Sequence, residues 1–309
     1  VQIIYNGTDI TSSVHPTSIQ MIDNSGGIPD SLTLKFSDTE GIWGKWKPAK
    51  NDTLQVKESG YDTGLMYIDQ IMQTAGSFGL AALSIPQTSK SARSQGWESV
   101  RFLEIVTQIA ARHGFTIKTY GVTNHLYERV DQIEQADFSF LADRCSLEGY
   151  ALKINNKSIV IYDEATQEKI VPDPELSIIR ESNINGDFEF IDKSTDIYGK
   201  CIVSSQALSG YIEGEYTASG TNGPTLKRNI FASNQAEANR WAKGIIRSFN
   251  KHMLTGSLAV NLNTNYAAGT TIQVTDVGMF DGVYFTDRLV HDLINNKTKV
   301  KLRKPLEGY

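Results

Sequence analysis

Three carboxylates, Asp131, Glu134 and Asp137, follow one another at intervals of three in VDQIEQADFSF. Two such groups flanking a cleft would serve a glycoside hydrolase. A plainer reading competes: Asp137 stands where a helix opening at Phe138 needs a capping acceptor, and Asp131 and Glu134 lie on a solvated approach to it. The five histidines, His15, His113, His125, His252 and His291, are scattered, and none has a Cys or His at metal-ligand spacing. They read as surface or satisfied core residues. The sequence holds no Walker-type phosphate loop, no Rossmann glycine triplet after a strand, no HExxH, no GxSxG and no EF-hand loop. No catalytic, cofactor-binding or metal-ligating residue is assigned, and the chain is expected not to be an enzyme.

Other residues suggest contact rather than chemistry. Trp43 and Trp46, in GIWGKWK, could stack on sugar rings or a protein partner, or could close one end of a β-module; both readings stand. The run Thr298 to Arg303 alternates Val300 and Leu302, expected inward, with Lys299, Lys301 and Arg303, expected outward. Trp43, Trp46, Lys299, Lys301 and Arg303 are the candidate contact residues. Cys145 and Cys201 fall in apolar helix and strand patterns and are expected to be buried thiols rather than a disulfide.

The composition is that of a folded globular protein: 309 residues, 40% hydrophobic and 21% charged, with length for two or three cores. A formal net charge of −5, with no long run of like charge, disfavours general or sequence-specific nucleic-acid binding through a basic face. No segment approaches the roughly 18 apolar residues of a membrane span, and the N-terminus lacks a secretory pattern, so neither a membrane anchor nor export by a signal peptide is expected.

Short alternating runs with turn residues between them make 1–90 a β region. Pro86 to Gln95, without a hydrophobic pattern, reads as a linker or domain boundary. A helix is expected from about Trp97 to His113, with Gly114 ending it, then a second one capped by Asp137 and ended by Gly149. A hairpin turning at Asn155-Asn156 completes a small α+β domain, 91–168. The remainder, 169–309, returns to strands around one helix whose stripe is Ala238, Trp241, Ala242, Ile245 and Phe249, with Asn234 and Glu237 as a capping pair.

These β regions share a repeat. TLQVKESGYDTGLMYIDQI, from Thr53 to Ile71, aligns without a gap on TIQVTDVGMFDGVYFTDRL, from Thr271 to Leu289, with six identities in 19 positions. Gly60 matches Gly278 and Gly64 matches Gly282, at turn positions where a side chain is disfavoured. Upstream, Ser31–Phe36 is expected to answer Ser257–Leu262. Duplication of one strand–turn–strand unit follows.

The stretches GWESVRFLEIVTQIAARHGF and VDQIEQADFSFLADRCSLEGYALKINNKSIVIYDE, followed by Ala238 to Ala242, Thr255-Gly256, Asp281-Gly282-Val283-Tyr284 and Val290-His291, resemble the phage tail baseplate hub proteins of the late control protein D family. The resemblance implies an α+β, mainly β chain: two related tail-tube-like β-barrel modules, at 1–90 and 169–309, with the small domain inserted between them. It further implies a homotrimer that joins a hexameric tail tube to a threefold spike as a symmetry adapter. The implied partners are the tail tube or a tube-initiator protein, the central spike, and other baseplate proteins, with the tape measure as a further candidate. Such a protein is made in the bacterial cytoplasm and assembled into a virion or phage-tail-like particle. The alternatives are a cell-wall glycan hydrolase of the tail tip, resting on Asp131 and Glu134, and a carbohydrate-binding attachment protein, resting on Trp43 and Trp46.

Overall fold

Strands of alternating burial dominate the molecule, as β-branched and apolar residues at every second position dictate. A computed structural model describes residues 1–207 and 210–309. The first region supplies β1 (Gln2–Tyr5), β2 (His15–Asn24), β3 (Ser31–Ser37), β4 (Thr53–Glu58), β5 (Met66–Thr74) and β6 (Ser77–Leu83). The middle segment holds β7 (Ala92–Arg101), α1 (Phe102–His113), β8 (Thr116–Tyr120), β9 (Leu126–Ala136), α2 (Asp137–Glu148), β10 (Tyr150–Asn155) and β11 (Ser158–Asp163). Beyond it come β12 (Glu189–Asp192), β13 (Lys200–Ala207), β14 (Gly210–Thr217), β15 (Thr225–Asn229), α3 (Gln235–Asn250), β16 (Leu254–Asn261), β17 (Thr271–Thr275), β18 (Gly282–Asp292) and β19 (Lys297–Arg303).

The two repeat copies have the same pairing register. Thr53 faces Tyr67 and Leu54 faces Met66 across β4 and β5, while Thr271 faces Phe285 and Ile272 faces Tyr284 across β17 and β18. Each long strand then bulges at the same aspartate, Asp69 in β5 and Asp287 in β18, where the register with β6 or β19 slips. An extra residue at a bulge bends the strand and increases its twist, so a shared bulge gives both copies the same local curvature. Pairing extends the correspondence outward. Because Leu83 answers Arg303, Leu34 of β3 answers Leu258 of β16, and Met21 of β2 answers Phe190 of β12. The preceding strand therefore recurs two residues away from the alignment expected at Ser257. Since side chains alternate, this shift keeps the buried face buried.

The expectation of two β-barrel modules is overturned. All these strands belong to one sheet of 14 strands, running β12–β16–β19–β18–β2–β3–β6–β5–β4–β1, and among the described residues no sheet closes on itself. The cause lies at β2. Its outer edge pairs with the far half of β18, Arg288 against Asn24 through Asp292 against Gln20, so the first half is joined to the second rather than to its own last strands. The result is a mixed α+β fold built on a large open sheet.

Three main cores follow. Ile3, Leu34, Leu54, Val56, Met66 and Leu80 fill the first half of the sheet, and Leu258, Ile272, Val274, Tyr284 and Val300 the second. Each such fully buried side chain contributes about 1.5–3 kcal/mol. The largest cluster unites α1, α2, β7, β9, β10 and β11 with β13, β15 and α3. The stripe of α3 is buried at Ala238, Trp241, Ala242 and Ile245, whereas Phe249 is exposed. Asn234 caps α3 by accepting from Glu237 N at 3.0 Å, and Glu237 returns the contact by accepting from Ser233 N. At Gly244 an added Cβ would lie 2.1 Å from the Leu147 carbonyl oxygen, so only glycine lets α3 approach the end of α2 this closely.

Two expectations in the middle segment need correction. Ala92 to Gln95, expected in a linker, and Trp97 to Arg101, expected in a helix, lie in one strand paired with β9 so that Trp97 faces Val130, and the helix starts only at Phe102. A long antiparallel partner satisfies this backbone, which a helical pattern read in isolation does not reveal. Gly114 and Gly149 end α1 and α2 in the left-handed conformation, as their positions required.

Candidate functional site

The carboxylates singled out in the sequence do not converge on a cleft. Asp137 is the first residue of α2, not its cap, and it is buried among partners: Arg112 Nη1 donates at 2.7 and 2.8 Å, Gln132 Nε2 at 2.9 Å, and His113 Nε2 lies 2.8 Å away. Burial opposes its ionisation, yet these partners outweigh burial and hold the carboxyl below its usual range. It is a clamp between β9, α1 and α2. Asp131 is exposed beside Arg129, and Glu134 is exposed on the bulged end of β9. Of the remaining histidines, His291 is buried against Thr298 Oγ1 at 3.0 Å, His125 lies 3.7 Å from Glu148, and His15 is exposed.

Trp43 is buried, stacked on Phe78 with ring centroids 5.0 Å apart and flanked by Phe36. It plugs the first core and is not available to a sugar. Trp46 packs edge-on against it and keeps an exposed face. Gly60 and Gly278 take φ of +88° and +82°, while Gly64 and Gly282 take +70° and +149°. The two loops depart after the first glycine: Tyr61–Asp62 extends as a strand, and Gly278–Phe280 winds into a 3-10 turn. Cys145 and Cys201 are free and buried.

Lys299 and Lys301 are exposed as expected, but Arg303 is not: its side chain is fully buried. The outer face of β19 is covered at that end by the segment after β11. Arg303 pairs with Glu168, reaches Glu164 at 3.2 Å and Asp287 at 3.5 Å, and lies over the Phe285 ring. Arg247 of α3 meets Glu168 at 2.5 Å and Glu164 at 3.5 Å, and Lys251 meets Glu164 at 3.1 Å. Three carboxylates thus face three cations, tying β18, β19, α3 and the segment after β11 together. Burial would raise the Glu164 carboxyl, but Lys251, Arg303 and Arg247 outweigh it and push it down to about 2.

A second charged group sits where the halves of the sheet meet. Lys153 of β10 pairs with Asp23 of β2 and lies 3.5 Å from the buried Asp30. Burial pushes Asp30 up to about 7, against the pull of Lys153. Tyr162 donates to the Ser25 carbonyl at 2.6 Å, and Gly27 N donates to Leu152 O at 2.8 Å. Between these contacts a cleft of about 350 Å³ is lined by Gly26, Gly149, Arg247, Lys251 and Asp287. The sequence signalled neither charged group, because the partners are far apart in the chain. In both groups cations and carboxylates from distant segments pair, which suits fixing the middle segment on the junction. Among the described residues, no group of three or more His, Cys, Asp or Glu could hold a metal ion, and no helix is long and apolar enough to cross a membrane.

The other conspicuous surfaces are strand edges. Among the described residues, the outer edge of β5 from Gln70 to Thr74 has no strand partner, and every residue of that stretch is exposed. At the far end of the sheet β12 pairs, among the described residues, with β16 alone.

No protein-family model matches the sequence, and no curated protein matches it. Solved structures do match in fold. The 43 kDa tail protein of prophage MuSo2 from Shewanella oneidensis superposes with a TM-score of 0.74 at 11% identity, covering 98% of both chains. The tail protein from Neisseria meningitidis MC58 gives 0.73 at 12% identity, covering 98% of this chain and 95% of that one. An Escherichia coli component of the type VI secretion system, described as structurally similar to the T4 bacteriophage tail proteins gp27 and gp5, gives 0.62 at 10% identity over 99% and 78%. The chain therefore has the fold of phage tail proteins and of this gp27- and gp5-like component along its whole length. That agrees with the resemblance in its broad form, without singling out one named family.

Proposed function

We propose that the chain is a structural hub of a phage tail or phage-tail-like contractile particle, joining a hexameric tail tube to a threefold central spike. The observation that carries this reading is the doubled sheet: two units with one strand order, one pairing register and one bulge, joined edge to edge within a single chain. Three copies would present six quasi-equivalent units around an axis, so that a trimer could meet sixfold symmetry on one side and threefold symmetry on the other. The units fall within 1–90 and 169–309, with 91–168 inserted between them. The proposed partners are the tube or a tube initiator, the spike, and other baseplate proteins, in a particle assembled in the bacterial cytoplasm. Lys299, Lys301 and Trp46 remain exposed for such contacts; Arg303 belongs to the interior.

Light scattering of the purified chain with its spike partner tests the proposal. It is expected to give three copies per complex, and a low-resolution map of the tail tip should show a pseudo-sixfold ring. A strict monomer in that complex overturns it.

A further inference from the structure

The cleft at the junction holds more positive charge than its own carboxylates balance. Its walls carry Arg247 of α3, Lys251 just beyond that helix, Arg288 of β18 and Lys301 of β19, against Glu164 and Asp287. Both carboxylates have other partners: Glu164 is shared with the buried Arg303, and Asp287 accepts from Ser25 Oγ and lies near the same guanidinium. Counting Arg303 and Glu168, which complete the network, leaves five cations to three carboxylates, a surplus of two. Asp23 and Asp30 face Lys153 and do not line the cleft. The surplus falls on Arg288 and Lys301. They stand directly opposite each other across β18 and β19, on one face, and among the described residues neither is in an ion pair. Like charges opposed in this way destabilise a strand pair. Arg288 Nε is buried without a hydrogen-bond partner. So is every guanidinium nitrogen of Arg247, which is close to Glu168 but not at hydrogen-bonding angles. A guanidinium has five N–H donors and no acceptor, and buried donors left unmatched are costly.

We propose that the cleft binds a phosphate group between Arg288 and Lys301 of the sheet and Arg247 of α3. A doubly charged oxyanion matches the surplus of two and supplies acceptors to the donors that lack them, and the planar fork of arginine suits it. At about 350 Å³ the cleft is larger than one phosphate ion needs and falls within the range of small-molecule sites, roughly 300–1,000 Å³. Free phosphate and a small phosphate ester share the chemistry it recognises. Bound there, the ligand bridges β18 and β19 to α3 and so strengthens the hold of the middle segment on the sheet.

Titration calorimetry of the full chain at constant ionic strength tests the site, with inorganic phosphate and glycerol phosphate as probes. The expected result is saturable one-to-one binding of at least one probe, weakened about tenfold or more by Arg288→Gln and by Lys301→Gln, as loss of a hydrogen bond to a charged group implies. Lys297 lies on the same face of β19 but outside the cleft, about 13 Å along the strand from Lys301. That is beyond the screening length of roughly 10 Å at 0.1 M salt, so Lys297→Gln should change the affinity by less than about twofold. Thermal unfolding separates binding from a purely structural role. In chloride alone Arg288→Gln relieves the opposed charges and should not lower the midpoint, whereas the upward shift that the probe gives the unsubstituted chain should vanish. Tighter binding of the ester places the phosphate on a larger ligand, and equal or weaker binding assigns the site to the free ion. Absence of saturable binding by both probes, or equal weakening by Lys297→Gln and Arg288→Gln, overturns the proposal.

Discussion

The two halves of the sheet use the same strands to opposite ends. After its bulge, β18 runs beside β2 and no residue of Arg288–Asp292 is exposed; after the corresponding bulge, β5 has no strand beside it among the described residues and all of Gln70–Thr74 is exposed. Interiors differ accordingly. The free half is sealed by an aromatic plug, Trp43 between Phe36 and Phe78. The joined half is covered by a segment that buries charge, so the position held by Leu83 in one half is held by Arg303 in the other. Duplication has kept the backbone register and released the side chains, which is what two units need if one meets its own chain and the other meets something else.

The largest expected effect lies at that pair. Arg303→Ala would strip the buried Glu164 and Glu168 of a partner, and breaking a buried ion pair costs about 3–5 kcal/mol. Leu83→Ala removes a half-buried side chain and should cost about 1 kcal/mol. Urea unfolding of the two variants measures the difference. Equal losses would mean that the halves are held alike and the comparison fails.

Acid sharpens the same contrast. The folded chain holds Glu164 at about 2, below its ordinary value, so its ionised form stabilises the protein above about pH 4.5, and that contribution disappears as pH falls toward 2. Glu164→Gln should cost about 3 kcal/mol at neutral pH and flatten the acid limb of the stability curve. Hydrogen exchange should place the early opening in β18, β19 and α3, with β3–β6 protected longer. An acid limb of unchanged slope in the variant would remove Glu164 from the account.

Much of this was legible from residue order. The gapless repeat located β4, β5, β17 and β18 and implied their shared register, and Asn234 with Glu237 marked the start of α3. What escaped depended on distant partners. Trp97 sits in a strand because β9 lies beside it, and Arg303 is interior because Glu168 covers it. Alternation correctly put Lys299 and Lys301 outside, but it reports which face a residue is on, not whether that face is covered. The barrel expectation failed for a related reason: local pattern specifies strands, whereas closure depends on which edge β2 finds, and it finds β18.

The smallest effect is the most discriminating, because it compares one residue type at one bulge in both halves. Asp69 pairs with the surface Lys90 at 2.5 Å, and exposed pairs contribute about 0–1 kcal/mol. Asp287 accepts from Ser25 Oγ at 3.1 Å across the joint between the halves and lies 3.5 Å from the buried Arg303 guanidinium. A hydrogen bond to a charged group contributes about 1.5–3 kcal/mol, and the long Arg303 contact adds less. Asp69→Ala should therefore lower stability by under about 1 kcal/mol and Asp287→Ala by about 2 kcal/mol, measured on the isolated chain at neutral pH. A reversed order in the isolated chain would show that the bulge itself, rather than the neighbour it faces, sets the cost.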